Sequence, residues 1–255
     1  MIDLHCHILP GIDDGPKNLE QSLEMATKAR SQGITHLMCT PHHNNGRFVN
    51  PAEVIKKEVL TLQSELDKRK IDLKLLVGQE NRLTGTLLQE IEKKEIVCFG
   101  KRNNFLLIEF PTTDVPLYAE KLLFKLVSQG YTPIIVHPER NTVFINDPNK
   151  LLPFLEMGAI TQGTAPSIVG LFGRKIQKTA KKMLQANLIQ MIASDAHSLE
   201  KRNFYLEEAY CMIQKEFGEE KVFRLKKMPR DILSGNKIER QAYQKVKNNL
   251  FNLFS

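Results

Sequence analysis

The chain has 255 residues, 36 basic against 29 acidic side chains for a net charge of +7, and 42% hydrophobic residues. That composition excludes a disordered chain. With no Pro-, Gly- or Ser-rich linker it predicts one domain over residues 1–255. No apolar run approaches the roughly 20 residues of a membrane span, the N-terminus lacks a signal-peptide pattern, and Met1 begins the first strand, so a cleaved leader would destroy the site; a cytoplasmic location and no direct membrane insertion are expected. Cys6, Cys39, Cys98 and Cys211 are scattered, without a C-x-x-C pair, and suggest neither a disulfide framework nor a thiolate zinc site.

In chain order, Met1 to His7 reads as a strand ending in His5-x-His7, whose imidazoles share a side because side chains alternate; Asp14 follows seven residues later. Leu19 to Gln32 has helical periodicity, with Asn18 at the N-cap and Gly33 past the end. Ile34 to Thr40 runs into Pro41-His42-His43, and a helix is expected from Pro51 to Lys70. Leu73 to Gly78 runs into Gln79-Glu80, followed by a helix over Thr86 to Lys94. Phe105 to Ile108 ends at Glu109, with a helix over Tyr118 to Gln129. Pro133 to Val136 runs into His137-Pro138-Glu139-Arg140, then a helix over Pro148 to Met157. A weaker strand lies near Ala159 to Gln162, with a helix over Lys175 to Ala186. Leu188 to Ser194 runs into Asp195-Ala196-His197, and Asn203 to Phe217 reads as an amphipathic helix. From about Lys221 the chain is a basic, helical extension. Pro229-Arg230-Asp231 is expected to start a turn and Gln241 to Phe254 a last helix, whose Val246, Leu250, Leu253 and Phe254 cover the base or meet a partner subunit as a homo-oligomer.

Strand then helix, about seven times, with ligand-type residues at strand ends, predicts a closed βα barrel. An open doubly wound sheet concentrates its site at one crevice instead. Five histidines (His5, His7, His42, His137, His197) and four carboxylates (Asp14, Glu80, Glu109, Asp195) hold those positions. A shared metal centre explains all nine, whereas separate core roles require nine buried partners. His36 is expected mid-strand, packed in the core or supporting a ligand from behind, and His43 is open between site and scaffold. Nitrogen and oxygen ligands without thiolate suit manganese, zinc or iron. Arg140 and Arg202 can cap phosphate oxygens. A Cys-dependent phosphatase is excluded, because the Arg that an H-C-x5-R signature needs is Ile12. The cationic excess looks diffuse (Lys56-Lys57, Lys93-Lys94, Lys181-Lys182) and reads as solvated faces or as attraction for an anionic substrate; no aromatic-basic interleaving indicates nucleic acid.

His5-x-His7, Asp14, Pro41-His42, Glu80, Glu109, His137-Pro138-Glu139-Arg140 and Ser194-Asp195-Ala196-His197 together resemble the polymerase-and-histidinol-phosphatase (PHP) metallohydrolases. More narrowly, "DLHCHILPGIDDG", "VGQE", "HPERN" and "SDAH" resemble the capsule-associated, manganese-dependent protein tyrosine phosphatases of Gram-positive bacteria. The resemblance implies a distorted (βα)7 TIM-like barrel and two or three Mn2+ ions, with Zn2+ or Fe as alternatives. It also implies hydrolysis of the phosphotyrosine tail of a bacterial tyrosine kinase, regulating capsule or exopolysaccharide synthesis. It assigns His5, His7, Glu80 and Asp195 to one ion, Glu80, Glu109 and His137 to a second, and Asp14, His42 and His197 to a third. Arg140, Arg202, His42 and Asp195 are the expected catalytic set. Asn81 and Gly163 depart from the pattern, where a hydrophobic residue and Val are expected. The competing readings are a small-molecule phosphomonoesterase such as histidinol-phosphatase, and a non-catalytic kinase-binding scaffold; a lone chain of this size speaks against a polymerase exonuclease module.

Overall fold

The computed structural model describes residues 1–247. The order is β1 (Ile2–Cys6), α1 (Leu19–Ser31), β2 (His36–Cys39), β3 (His42–His43), α2 (Ala52–Lys68), β4 (Lys74–Val77), β5 (Glu80–Arg82), α3 (Leu87–Glu92), β6 (Phe105–Glu109) and α4 (Ala119–Ser128). There follow β7 (Thr132–Val136), α5 (Thr142–Asn146), α6 (Leu152–Met157), β8 (Ile160–Thr164), α7 (Ala165–Val169), α8 (Arg174–Gln185), β9 (Met191–Ala193), α9 (Leu206–Phe217) and α10 (Glu219–Ser234). The fold is mixed α/β with parallel sheets, one ordered β1-β2-β4 and the other β3-β5-β6-β7-β8-β9.

Two of the expected strands are each followed by a second, short strand that was not expected. Between β2 and β3 stands Pro41, which has no N–H for the ladder. Between β4 and β5 stands Gly78, where a Cβ would come within 2.4 Å of Met38 Cγ and 3.0 Å of Thr40 Cγ2, so those side chains fill the room a side chain here would need. Past the end of β9, Asp195 N donates to His5 O at 2.8 Å and His7 N to Ala196 O at 2.9 Å, which ties the last strand to the first.

Strand alternation separates two apolar sets. Leu4, Met38, Leu107, Ile134, Ile160 and Met191 meet on one side, while Leu37, Leu106, Ile108, Ile135 and Ile192 pack against the helices. Burial on both faces is why the strands read as continuous apolar runs. Asn18 caps α1 by accepting from Gln21 N at 3.1 Å. Asn141 caps α5 and also donates to Pro111 O and Asp114 O, fixing the loop after β6.

Several expectations are corrected. The turn expected at Pro229-Arg230-Asp231 does not form: Pro229 lies inside α10 and is buried there. Residues 241–247 form no helix; Val246 packs on the core, and Leu250, Leu253 and Phe254 lie outside the described residues. His36 opens β2 and is exposed, since it sits at the strand's entry rather than its middle. The two departures from the family pattern have local causes. A Cβ on Gly163 would stand 2.8 Å from Ile189 Cδ1, so Ile189 occupies that room. Asn81 is buried and donates to Leu107 O at 3.0 Å.

Candidate metal centre

The nine residues all follow strands or sit in their last positions, and the structure brings them into one cluster. Among the described residues three groups offer ligand atoms within 4.8 Å of one another: His7, Asp14, His42 and His197; His5, His7 and Glu80; His42, Glu80 and Glu109. Glu80 is the hub. Its Oε2 lies 2.8 Å from His42 Nδ1, 3.2 Å from His7 Nε2 and 3.4 Å from His5 Nε2, and its Oε1 lies 2.7 Å from His137 Nε2. Asp14 Oδ1 is 3.4 Å from His42 Nε2 and 3.3 Å from His197 Nε2. Asp195 Oδ1 is 3.4 Å from His5 Nε2 and 3.6 Å from His7 Nε2.

These groups differ from the expected partition in three respects: His7 also joins Asp14, His42 and His197, Asp195 falls in none of them, and His42 takes the place of His137. Glu80 and Glu109 are grouped with His42 rather than His137, because His42 faces Glu80 with one ring nitrogen and Asp14 with the other. His137 stays at the edge, its Nε2 2.7 Å from Glu80 Oε1 and its ring 5.8 Å from that of His5. His43 stands outside the groups: Asn50 N donates to its Nδ1 at 3.1 Å.

The donor set fits metal ions. Glu80 Oε2, Glu109 Oε2, His42 Nδ1 and His197 Nε2 are buried without a hydrogen bond. Buried polar atoms are ordinarily paired, and lone pairs converging in this way are what a shared dication satisfies. Without ions the charges are strongly skewed. Burial opposes charge on His7, but the Asp13 and Glu80 carboxylates outweigh it and hold the imidazolium to about 10. Burial, aided by the neighbouring cations Arg140 and His7 respectively, lowers His137 and His197 to about 4. Asp195 is held well below the carboxylate range, its burial outweighed by Arg202, His5 and Arg140.

Two site residues have left-handed backbones, His137 at φ 37° and Asp195 at φ 51°. Such a conformation is uncommon outside glycine and costs of order 1–3 kcal/mol. Both stand where a strand ends and the chain turns sharply over the site.

Arg140 and Arg202 both reach the cluster. Arg140 Nη1 and Arg202 Nη2 each donate to Asp195 Oδ2 at 2.5 Å, so Arg202 pairs with Asp195 and not with Glu207 or Glu208 on the following helix. Arg202 Nε is buried without a partner. Phe172 lies under the Arg140 guanidinium at 5.1 Å, and Phe48 stacks against His42 with ring centroids 6.2 Å apart. Cys6 points away from the cluster, as strand alternation predicts: its thiol is buried, faces Ala196 O at 3.5 Å and is pushed well up by burial.

Three contributors escaped the sequence reading. Asp13 Oδ2 accepts from His7 Nδ1 at 2.7 Å and from His42 N at 3.2 Å, while its Oδ1 accepts from Gly15 N at 2.9 Å. Gln162 Oε1 accepts from His5 Nδ1 at 2.8 Å, and Arg82 Nη1 lies 3.0 Å from Glu109 Oε2. The doubled Asp13-Asp14 was the available signal; nothing marked Gln162 or Arg82.

The chain is similar to proteins of known activity. The tyrosine-protein phosphatase YwqE of Bacillus subtilis is 40% identical over 255 residues, covering 100% of both chains. The tyrosine-protein phosphatase CpsB of Streptococcus agalactiae is 33% identical over 230 residues, covering 88% of this chain and 94% of that one. A crystal structure reported for YwqE from Bacillus subtilis and CpsB from Streptococcus pneumoniae, described as unique metal-dependent tyrosine phosphatases, matches with a TM-score of 0.93. It is 40% identical and covers 97% of this chain and 100% of that one. The model of the CpsB/CapC capsular polysaccharide synthesis family matches residues 1–234. The chain belongs to the CpsB/CapC family.

Proposed function

We propose that the chain is a metal-dependent phosphotyrosine-protein phosphatase of capsular or exopolysaccharide synthesis. The observation that carries this reading is the convergence of unpaired imidazole and carboxylate atoms on Glu80, with two arginines at its border. The named activity of relatives at 40% and 33% identity supports it. In this reading His5, His7, Asp14, His42, Glu80, Glu109, His137, Asp195 and His197 hold two or three ions, manganese first, with zinc or iron as alternatives. The two sheets form one distorted seven-stranded barrel of the PHP type, a closure supported by the Asp195–His5 and His7–Ala196 hydrogen bonds. The chain acts as one domain, in the cytoplasm, on the phosphotyrosine tail of a bacterial tyrosine kinase.

When bound, such ions bring the pKa of a coordinated water towards neutrality and neutralise phosphoryl oxygens. The protein's own part is positioning. Arg140 and Arg202 each commit one N–H to Asp195, which leaves further guanidinium donors, the free Arg202 Nε among them, to hold a phosphoryl group. Phe48 and Phe172 offer aromatic surface beside His42 and Arg140, suited to a phenyl ring. A tyrosyl oxygen leaves with a pKa of about 10, so little proton donation is required of the site.

The test compares catalytic efficiency on a phosphotyrosine peptide, a phosphoserine peptide and histidinol phosphate, before and after chelation and with manganese restored. The phosphotyrosine peptide is expected to lead, chelation to abolish turnover and manganese to restore it. A lead for histidinol phosphate overturns the substrate assignment; full turnover by metal-free protein overturns the mechanism.

A further inference from the structure

Residues 221–247 carry nine Lys and Arg against two acids, Asp231 and Glu239, a net charge of +7 that equals that of the whole chain. The rest of the sequence is balanced, so the excess is not spread over many helix faces. It is gathered at one end of the fold.

The contacts of this segment say which end. Helix α10 lays Met228 and Ile232 against the interior set that includes Leu4, Phe105 and Met191. Beyond Gly235 the chain crosses the connections that lead into β8 and β9. Arg240 Nη2 donates to Gly158 O at 2.6 Å, Asn187 Nδ2 to Ala242 O at 2.9 Å, and Gln244 N to Ala186 O at 3.0 Å. Those connections enter the strands at their N-terminal ends, whereas the ligand cluster stands at the C-terminal ends. The basic segment therefore covers the base, opposite the metal centre.

Its cations are available. Among the described residues, ion pairs within this segment are those of Arg224 with Glu220 and of Lys227 with Asp231 and Glu239. Arg230, Lys237, Lys245 and Lys247 are exposed, as are Lys101 and Arg102 on the adjoining turn before β6. Between that turn and residues 231–240 lies a cleft of about 410 Å³, bordered by Lys101, Arg102, Lys237 and Arg240. Asp231 also borders it, with its carboxylate 2.7 Å from Lys227 Nζ. Phe223 is 53% exposed and precedes Lys227 by four residues and Arg230 by seven, which puts all three on one helical stripe.

We propose that this base is a peripheral docking surface for an anionic lipid bilayer. Cations gathered over one face, with an aromatic side chain among them, are the composition by which helices lie on anionic membranes. Contact is superficial: among the described residues no helix is long and apolar enough to cross a membrane. Docked by its base, the protein presents the metal centre away from the lipid. Such docking does not depend on the phosphatase reading.

Co-sedimentation of the full chain with vesicles tests it, using phosphatidylcholine alone and phosphatidylcholine with one third phosphatidylglycerol. Sedimentation is expected only with the anionic vesicles and only at low salt, since the Debye length shrinks to about 3 Å at 1 M. Each Lys or Arg near such a surface strengthens binding roughly fivefold, so Arg230→Ala with Lys237→Ala is expected to weaken it roughly 25-fold. Turnover of a small soluble phosphate ester by that variant is expected to match the wild type. Wild-type protein that stays in the supernatant at low salt, or a double variant that sediments as well as wild type, overturns the proposal. Binding to poly-glutamate without sedimentation assigns the face to an acidic polypeptide and also overturns it.

Discussion

The two ends of the same strands handle charge in opposite ways. At the C-terminal ends, imidazoles and carboxylates are mostly buried, and each lies within a few ångström of another. At the N-terminal ends, Met228 and Ile232 fill the interior and the cations stand out in water. A buried charge that loses its partner is left uncompensated, which costs far more than the pair itself contributes. A solvated charge loses only its own long-range attraction. Substitutions in the cluster should therefore act on one another, while those at the base should add.

Glu80→Gln is expected to have the largest effect, because Glu80 is close to four imidazoles at once. Turnover should fall at least ~10³-fold, equivalent to about 4 kcal/mol, with metal lost in elemental analysis; a variant that keeps its metal and its rate breaks the contrast. Next come the arginines. Arg140→Ala or Arg202→Ala should each cost roughly 30- to 150-fold in kcat/KM, the value of a charge-assisted contact of about 2–3 kcal/mol. Since both hold Asp195 Oδ2, metal content should survive either change and drop only in the double variant. Equal metal loss in the single variants would show that the two do not share the task. Asp13→Ala should weaken metal affinity roughly 10- to 100-fold, as loss of a carboxylate behind a metal-bound imidazole does. Calorimetric titration of metal into the apo-protein measures this, and Asp13→Asn, which can still accept from His7, should recover part of it. The smallest effect is expected for Cys6→Ser, within about twofold of wild type. A folded, metal-loaded but inactive Cys6→Ser would bring back a thiol nucleophile.

Sequence periodicity located the strands and most helices to within a few residues, because strands buried on both faces must be apolar throughout and helices need one apolar stripe. The ligand-type residues stood out because all but Asp14 stand at or just after the end of an apolar run. What was not legible depends on the third dimension. His137 and Asp195 take left-handed turns that no local residue preference announces. Gln162 reaches His5 from a strand 157 residues away. Pro229, a breaker by local rule, is accommodated in α10, where burial outweighs the lost hydrogen bond. The basic character of the C-terminal segment was visible, but its place beneath the strands was not.

The hydrogen bonds that join Asp195 to His5 and His7 to Ala196 have a consequence for biosynthesis. His5 and His7 leave the ribosome almost at once, yet their neighbour Asp195 is made about 190 residues later. At roughly 5–20 residues per second the interval is on the order of 10–40 s. Throughout it the two imidazoles have no Asp195 beside them, and no shorter nascent chain can assemble the complete cluster. In the proposed reading, metal capture by the finished set is thus a late event, timed by the arrival of the last strand.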